Sequence, residues 1–420
     1  MRNLSRLHNL AAAIGIAVLL LTMVVPSFAL AASTNSTDAP VTMYPDHTAP
    51  SAATSSPVCT PGGICPAQLL KAYDVAALQA GGINGTGQTV VIVDACGSPT
   101  IASDLHTFDS QFGLSNPILN VVDVQGTPCS NVDWGVETSL DVEWSHVMAP
   151  GATIDLLISA KPSSADLYGA WSYALTNNLG NQISNSWGGT SKCGSTATGL
   201  LKTATADGVT ILASSGDFGA WGQGMTLGAQ SPADCKGVLT IGGTTLHIMT
   251  DGTYISEAAW SGAGGGYVPN KSEPNYQKVA AISDSFGLLA KSDVSAVANP
   301  STGVWFYDSG IAGGWAVVGG TSVACPLWAG FMADVNQMRT TNGFVSAGMI
   351  QPFLYKVVYG ASGGSSLYAT DFHDVTTGSD GWPAGPGWDA PTGLGTFDAN
   401  NLAQTLGSHA GPLNLGDSGV

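Results

Sequence analysis

A serine at the start of a predicted helix is the first candidate for a chemical role. In GGTSVACPLWAG, residues 319–330, a glycine-rich turn delivers Ser322 to an apolar helical segment. Free backbone N–H groups and the helix dipole favour developing negative charge there, which suits a serine nucleophile beside an oxyanion. Taken alone, a Gly-Thr-Ser is more often a helix cap, so the neighbouring chemistry has to decide.

Two acids on another predicted helix could accept the serine proton. In VETSLDVEWSHVMAP, Glu137 and Asp141 are four residues apart, so their side chains lie about one turn apart on one face. Like-charged acids in contact share a proton, and one apparent pKa rises. Glu137 would then be the base and Asp141 its orienting partner. Acidic pairs are also common on solvated faces, and Glu143 is predicted to lie on such a face.

A third acid, Asp217, follows a β-rich run directly in ILASSGDFGA. This position predicts that it lies at the carboxyl end of a strand, where functional groups collect in parallel sheets. A protonated carboxyl can donate a hydrogen bond to an oxyanion, whereas an ionised one would repel it. The alternative is a turn residue whose side chain bonds its own backbone.

Histidine is the usual base for a serine, but none of the seven histidines precedes a glycine as in a subtilisin-type His-Gly-Thr segment. His146 lies on the helix of Glu137, about 180° round its axis. His47 falls in a predicted linker. A histidine base therefore stays an open alternative that no residue pattern selects.

The three acid and serine motifs, in this order along the chain, resemble those of the sedolisin family, serine-carboxyl peptidases with a subtilisin-like fold. They read Glu-x-x-x-Asp, Ser-Ser-Gly-Asp and Gly-Thr-Ser-x-x-x-Pro, and similar stretches lie at 85–99, 184–189, 261–270 and 293–300. The resemblance implies an endopeptidase that hydrolyses protein or peptide substrates in acid. It implies Ser322 as nucleophile, Glu137 as base, Asp141 as its partner and Asp217 as oxyanion-hole acid. Subtilisin-type catalysis and a non-catalytic secreted binding domain are the alternatives.

The resemblance also implies one structural calcium ion. In residues 372–395, two carboxylates flank a glycine-rich loop whose carbonyls could complete the oxygen cage that a hard cation requires. By motif position, the ligands would be the side chains of Asp374 and Asp389 and the carbonyl groups of Val375, Gly385 and Gly387. Without the resemblance, an ordinary surface loop is the simpler interpretation.

Apolar runs that alternate with helix-length segments must position these groups. The predicted buried strands are 89–95, 152–159, 182–187, 208–214 and 237–242, and the predicted helices lie near 136–148, 164–178 and 195–206. The alternation favours right-handed βαβ crossovers. The fold class predicted is therefore α/β, with a largely parallel sheet covered by helices on both faces.

Composition narrows the function further. The 420 residues include 55 Gly, and a formal charge of −17 comes from 12 basic and 29 acidic side chains. So few basic groups cannot neutralise phosphates, which disfavours nucleic acid as a partner. Acid would protonate most carboxylates, so the composition tolerates low pH. Together with the family resemblance, this leads us to expect a monomer that acts on protein or peptide substrates.

The chain start has the pattern of an export signal. Residues 1–31 combine an early positive charge, an apolar run and the small residues of a cleavage site. We predict a Ser/Thr/Pro-rich mobile linker or short pro-region at 32–58, a peptidase domain at 59–408 and a flexible tail at 409–420. The mature protein would be secreted, without stable membrane association, unless the signal is retained as an anchor.

The seven cysteines fit an oxidising compartment, and their odd number leaves at least one thiol unpaired. Cys325, inside the apolar segment after Ser322, is the expected buried free thiol. Of the fifteen connectivities open to the other six, local pairing favours Cys59 with Cys65. We further expect the pairs Cys96–Cys129 and Cys193–Cys235.

Overall fold

The computed structural model describes residues 41–53, 56–190, 192–221, 230–282, 286–311, 314–360 and 363–418, so the predicted signal peptide lies outside it. The strands are β1 Tyr44–Pro45, β2 Ser51–Ala52, β3 Thr89–Ala95, β4 Leu119–Asp123, β5 Thr153–Ser159, β6 Gln182–Ser184, β7 Trp187–Gly188, β8 Thr210–Ser214, β9 Val238–Ile248, β10 Tyr254–Ala259, β11 Gly266–Ser272, β12 Leu288–Lys291, β13 Val294–Val297, β14 Val304–Tyr307, β15 Trp315–Val318, β16 Phe372–His373 and β17 Thr396–Phe397. The helices are α1 Pro66–Ala72, α2 Val75–Ala80, α3 Ile101–Phe112, α4 Val132–Met148, α5 Ser164–Thr176, α6 Ser195–Asp207, α7 Asn275–Ala280, α8 Thr321–Thr341, α9 Gln351–Phe353, α10 Tyr368–Asp371 and α11 Ala399–Ser408.

The apolar runs predicted as buried strands form the middle of one sheet. Within the described residues this sheet has ten strands, in the order β16-β17-β13-β9-β8-β6-β3-β5-β4, with β10 paired to β9. From β17 to β4 neighbouring strands run parallel, and the two antiparallel pairs, β16–β17 and β10–β9, lie toward one side. Parallel neighbours require crossover connections, which the intervening helices supply.

Helices cover both faces of the sheet, as β3 shows. Val90 and Ile92 belong to the apolar cluster that contains α4 and α8, whereas Val91 and Val93 belong to the cluster that contains α5 and α6. Alternate side chains of a strand point to opposite faces, so a strand buried on both sides reads as a continuous apolar run. The predicted α/β class, with a largely parallel sheet between helical layers, is confirmed.

Close packing of α4 on α8 brings two of the candidate motifs together. A Cβ placed on Gly330 would lie 2.5 Å from the Cβ of Met148 and 2.9 Å from the carbonyl oxygen of Ser145. Only a residue without a side chain allows the two helices to approach this closely. The helix of Glu137 is thereby fixed against the helix that begins at Ser322.

All three expected disulfides are present: Cys59–Cys65, Cys96–Cys129 and Cys193–Cys235. Cys325 is a buried free thiol, as predicted.

Residues 41–53 of the predicted mobile linker are fixed on the domain. β1 pairs with β7 and β2 with β15, both antiparallel. Met43 and Asp46 are buried. Its polar composition did not predict that it is ordered. The segment is held by backbone N–H and C=O groups, which every residue type carries except that proline lacks the N–H.

The tail predicted to be flexible is also packed over its described part, residues 409–418. Leu413 is fully buried. The guanidinium of Arg339, buried in α8, donates hydrogen bonds to the carbonyl oxygens of Leu406, His409 and Gly411 at 2.7, 3.1 and 2.9 Å. A buried cation needs such acceptors, so the tail completes the environment of α8.

Several carboxyl groups lie inside the protein away from the serine. Burial raises the pKa of Asp109 and of Asp293 to about 7. Burial alone raises the pKa of Asp334, on α8, well above its ordinary value, and neither oxygen of this side chain has a hydrogen-bond partner among the described residues. Such groups are stable in the folded protein only while they carry a proton.

We therefore predict that the folded protein is more stable in acid than at neutral pH. Below about pH 4 these carboxyls are protonated in both folded and unfolded chains. As pH rises toward 7 and above, the unfolded chain has already released the protons that the folded chain retains, so the free energy of unfolding falls. Denaturant titration of a Ser322→Ala variant, which prevents self-digestion, should show this loss between pH 5 and pH 8.

Asp334→Asn removes one of these titrating groups. The loss in the free energy of unfolding between pH 5 and pH 8 should then be smaller, by on the order of 1.4 kcal/mol for each unit by which the pKa of Asp334 differs between the folded and the unfolded chain. The matched control is Asp207→Asn at the exposed end of α6. Equal slopes for Asp334→Asn and Asp207→Asn would contradict the assignment.

Candidate active site

Ser322 is the second residue of α8, and its side chain is fully buried. Its backbone N–H donates to the carbonyl oxygen of Asp46 at 3.0 Å. Because the first N–H groups of a helix have no partner within the helix, they are available to a carbonyl brought from elsewhere. An external carbonyl oxygen therefore occupies the position at which the N–H of Ser322 would stabilise an oxyanion.

Asp217 lies near the same carbonyl oxygen, across the space left open by Gly320. Its Oδ1 accepts hydrogen bonds from the N–H and the hydroxyl of Thr321, at 2.8 and 2.9 Å. Its Oδ2 and the oxygen of Asp46 each lie 2.5 Å from the point that a Cβ on Gly320 would occupy. Gly320 has φ +117°, so both its backbone conformation and this space require glycine.

The pKa of Asp217 rises well above its ordinary value, because burial and the charge of Asp46 both oppose ionisation. Its Oδ2 is buried and has no hydrogen-bond partner within the described residues. A proton on Oδ2 would therefore be free to point at the carbonyl oxygen.

The hydroxyl of Ser322 lies beside Ser186, in the stretch SNSWGG. Ser322 Oγ donates to the carbonyl oxygen of Ser186 at 3.2 Å. The hydroxyl of Ser186 donates to Asp141 Oδ1 at 2.7 Å. Ser186 thus connects the serine to the acidic pair, a role that its residue type alone did not reveal.

Glu137 and Asp141 are completely buried on α4. Burial, followed by the charges of Asp141 and Asp94, raises the pKa of Glu137 well above its ordinary value, and the nearby hydroxyl of Ser322 lowers it. Burial and the charge of Asp94 raise the pKa of Asp141 as well, whereas the hydrogen bond from Ser186 and the neighbouring Glu137 carboxyl lower it. Two neighbouring buried carboxyls cannot both ionise easily, so the pair can share and transfer a proton.

Asp94, at the end of β3, is a third buried member of this acidic cluster. Burial raises its pKa to about 7. It falls at the end of the predicted strand 89–95, but only the fold brings it close enough for its charge to act on Glu137 and Asp141.

Glu143 differs from the prediction. It is buried, not solvated, and its Oε2 accepts the backbone N–H of Tyr307 at 3.0 Å. The physical reason is that α4 is covered on all sides, so its charged residues cannot be assigned to a solvent face by periodicity.

The structure places His146 away from the serine and His47 beside Glu137, although the sequence puts His146 on the helix of Glu137 and His47 in a predicted linker. His146 lies 3.4 Å from Asp109 of α3, and burial lowers its pKa to about 4. His47 instead lies in the site, with Nε2 4.0 Å from Glu137 Oε2 and 3.0 Å from the carbonyl oxygen of Asp133. Nothing in the composition of the predicted linker marked His47 as part of this cleft.

The loop proposed to bind calcium brings its two acids together. Gly387 N–H donates to both oxygens of Asp374, and Gly385 N–H donates to Asp389 Oδ2 at 3.0 Å. Burial and, more weakly, the charge of Asp374 raise the pKa of Asp389 to about 7. Among the described residues, no group donates to the carbonyl oxygens of Val375, Gly385 or Gly387. This set of two carboxyls and three available carbonyls fits a hard cation.

Comparison with known proteins agrees with this arrangement. The model of the subtilase family matches residues 135–356, which include Glu137, Asp141, Asp217 and Ser322. Sedolisin of Pseudomonas sp. (strain 101) is 29% identical over 76% of this chain and 58% of its own length. Kumamolisin of Bacillus sp. (strain MN-32) is 31% identical over 77% of this chain and 61% of its own length. The chain thus spans about three fifths of these relatives.

A solved structure extends the likeness to three dimensions. Pseudomonas sedolisin, a serine-carboxyl proteinase complexed with two molecules of pseudo-iodotyrostatin, superposes with a TM-score of 0.73 and 26% identity. The match covers 84% of this chain and 100% of that chain. With the ordered motifs, the buried acidic pair and the shared fold, these similarities show that the chain belongs to the subtilase family and, within it, to the sedolisins.

Proposed function

We propose that this chain is a secreted serine-carboxyl endopeptidase that hydrolyses peptide bonds of proteins or peptides in acid. The observation that carries the proposal is the carbonyl oxygen of Asp46, which accepts the N–H of Ser322 and, together with Asp217 Oδ2, borders the space left open by Gly320. A binding domain without catalytic function would not need a nucleophile, a proton-holding pair and an oxyanion site around one carbonyl.

In the proposed reaction, the hydroxyl of Ser322 turns from Ser186 toward Glu137 and attacks the substrate carbonyl carbon. Glu137 takes the hydroxyl proton and then delivers it to the leaving amine, while Asp141 keeps Glu137 oriented and shares its proton. The N–H of Ser322 and protonated Asp217 stabilise the oxyanion. Water then hydrolyses the acyl-enzyme by the reverse sequence of proton transfers.

A carboxyl base suits this site better than histidine. His146 contacts Asp109 rather than the serine. His47 belongs to a segment whose backbone crosses the cleft as a substrate would, so its imidazole near Glu137 is better explained as part of a bound peptide.

Substitution of Glu137 tests the base. Glu137→Gln should lower kcat by about 100-fold or more, because the amide cannot accept the proton. Ser322→Ala should lower it by about 1000-fold or more. The matched control is Glu143→Gln, an equally buried position on the same helix that faces Tyr307, and it should stay within about threefold of the parent.

These rates are measured on an unfolded protein substrate across pH 2–8. Histidine catalysis would be favoured instead if His146→Gln abolished turnover while Glu137→Gln retained it.

The pH profile tests Asp217. Its raised folded pKa keeps it protonated in acid, and the donor is lost as pH rises through that pKa. The rate should therefore fall on the alkaline side. In Asp217→Asn the side-chain amide still donates but does not titrate, so the maximal rate should drop by about 100-fold and the alkaline limb should move to higher pH. An alkaline limb that stays in place would exclude Asp217 as the titrating donor.

We also propose that the loop of Asp374 and Asp389, with the carbonyls of Val375, Gly385 and Gly387, binds one calcium ion. The ion would supply only structural charge compensation for two neighbouring carboxylates in the folded state. The same carboxylates would otherwise repel each other at neutral pH.

Chelation tests the calcium proposal without using activity. In a Ser322→Ala chain at neutral pH, removal of calcium should lower Tm by several degrees, since calcium at 100 times its Kd stabilises by about 2.7 kcal/mol. Asp389→Asn should abolish this calcium-dependent shift, whereas Asp207→Asn should retain it. A Tm that is the same with calcium and with chelator would count against the site.

Secretion and a monomeric state remain part of the proposal. Three disulfides support an oxidising compartment. In the part of the chain that the structure describes, no helix combines the length and the apolar character needed to cross a membrane.

A further inference from the structure

The segment from Tyr44 to Thr48 is bound in the cleft as a peptide. β1 adds antiparallel to β7, with Tyr44 opposite Gly188 and Pro45 opposite Trp187. The N–H of Asp46 then donates to the carbonyl oxygen of Ser186 at 3.0 Å. Such strand addition holds a peptide by its backbone, and the pockets for its side chains determine which sequences fit.

Backbone contacts continue beyond Asp46 and fix the register. The N–H of Thr48 donates to the carbonyl oxygen of Gly319 at 2.9 Å. Since the carbonyl oxygen of Asp46 accepts the N–H of Ser322, the peptide bond presented at the serine is the one between Asp46 and His47.

The side chain of Asp46 enters a closed polar pocket. It is 2% exposed. Gln230 Nε2 donates to both carboxyl oxygens, at 2.7 and 2.8 Å, and Ser214 Oγ donates to Oδ2 at 2.8 Å. A Cβ on Gly188 or Gly216 would collide with the side chain of Gln230, so these two glycines leave the space that it occupies.

The electrostatics of the pocket also suit an acidic side chain. Lys291 is 2% exposed, and burial lowers its pKa to about 8 despite the opposing charges of Asp234, Asp46 and Asp380. Burial raises the pKa of Asp46 to about 6, while Ser214, Gln230 and Lys291 lower it. The other two acids have partners of their own: Asp234 accepts the N–H of Cys193, and Asp380 accepts the N–H of Gly265.

We propose that the pocket in which Ser214 and Gln230 donate to Asp46 selects an aspartate side chain on the amino side of the bond to be cleaved. The Asp46–His47 bond of this chain is such a bond, and we expect the chain to cleave itself there. The inference rests on the proposed peptidase function and adds the class of substrate to it: peptides cut after aspartate.

An aspartate side chain fits this pocket better than alanine, lysine or glutamate would. An alanine would leave the donors of Gln230 and Ser214 buried without acceptors, which costs more than the loss of a hydrogen bond. A lysine would place a second cation near Lys291. A glutamate adds one methylene to a pocket in which both aspartate oxygens are already at hydrogen-bond distance from their donors.

Self-cleavage follows the ordinary balance of peptide hydrolysis. Ser322 Oγ bonds to the carbonyl carbon of Asp46, and the bond to the nitrogen of His47 breaks as that nitrogen receives the proton from Glu137. Water then releases Asp46 as a free carboxylate and restores the serine. The products are a chain that ends at Asp46 and one that begins at His47, with one water consumed.

The pocket can be tested without catalysis by hydrogen exchange in the full Ser322→Ala chain. Adding Asp46→Ala should accelerate amide exchange in residues 43–49 by about tenfold or more, because two charge-assisted donors lose their acceptor. The matched control is Thr42→Ala, whose side chain is exposed in the same segment, and it should change exchange by less than about twofold. Equal exchange in the two double variants would overturn the pocket assignment.

Specificity is then measured on the active chain with peptides of residues 41–51 that carry Asp, Asn, Glu, Ala or Lys at position 46. Asp should exceed Ala in kcat/KM by about tenfold or more, with Lys the poorest. Gln230→Met should bring the Asp-to-Ala ratio to about two or less while the Ala peptide is still cleaved, which shows that the variant is folded. Lys161→Met, an exposed lysine, should leave the ratio unchanged.

The outcomes separate the two proposals. Cleavage of all peptides without preference for Asp, or an active chain whose Asp46–His47 bond stays intact by mass spectrometry, would overturn the inference and leave the peptidase. A chain that cleaves none of the peptides but shows the Asp46-dependent exchange would overturn the peptidase and support the pocket as a binding site.

Discussion

Burial of carboxyl groups without matching cations is the constraint on which this site depends. Asp94, Glu137 and Asp141 lie together inside the protein, and within the described part of the chain no lysine or arginine forms an ion pair with them. Ionising all three would place like charges in a poorly solvated region. The cluster is therefore most stable when it retains protons, and a group that holds a proton beside a serine can also exchange one with it.

This constraint requires a rigid frame. Glu137 and Asp141 are held by α4, which is buried on nearly every side, and the serine begins α8, which packs on α4 where Gly330 permits close approach. Asp217 comes from the carboxyl end of β8, so three separate elements meet around one carbonyl oxygen. The same requirement explains why Gly320 has no side chain: any side chain there would occupy the space between the oxyanion donors and the peptide.

The segment from Tyr44 to Thr48 contacts both the catalytic serine and the pocket that binds the side chain of Asp46. Its backbone pairs with β7, and the side chain of Asp46 adds hydrogen bonds that hold the segment in place. Because Asp46 is enclosed by donors from the protein, its pocket gives the cleft a chemical preference. The acidic pair and the aspartate pocket use different hydrogen-bond donors: Ser186 donates to Asp141, whereas Gln230 and Ser214 donate to Asp46.

The sequence by itself determined the fold class, the main strands and helices and the order of the motifs around Glu137, Asp141, Asp217 and Ser322. These features rest on local patterns: apolar runs, helical spacing and glycine-rich turns. Tertiary structure alone decided that Glu143 is buried, that Asp94 and Ser186 join the acids and that Asp46 and His47 lie in the cleft. The reason is physical: burial of a charged group and backbone pairing between distant segments depend on what packs from elsewhere, and no local pattern encodes that neighbour.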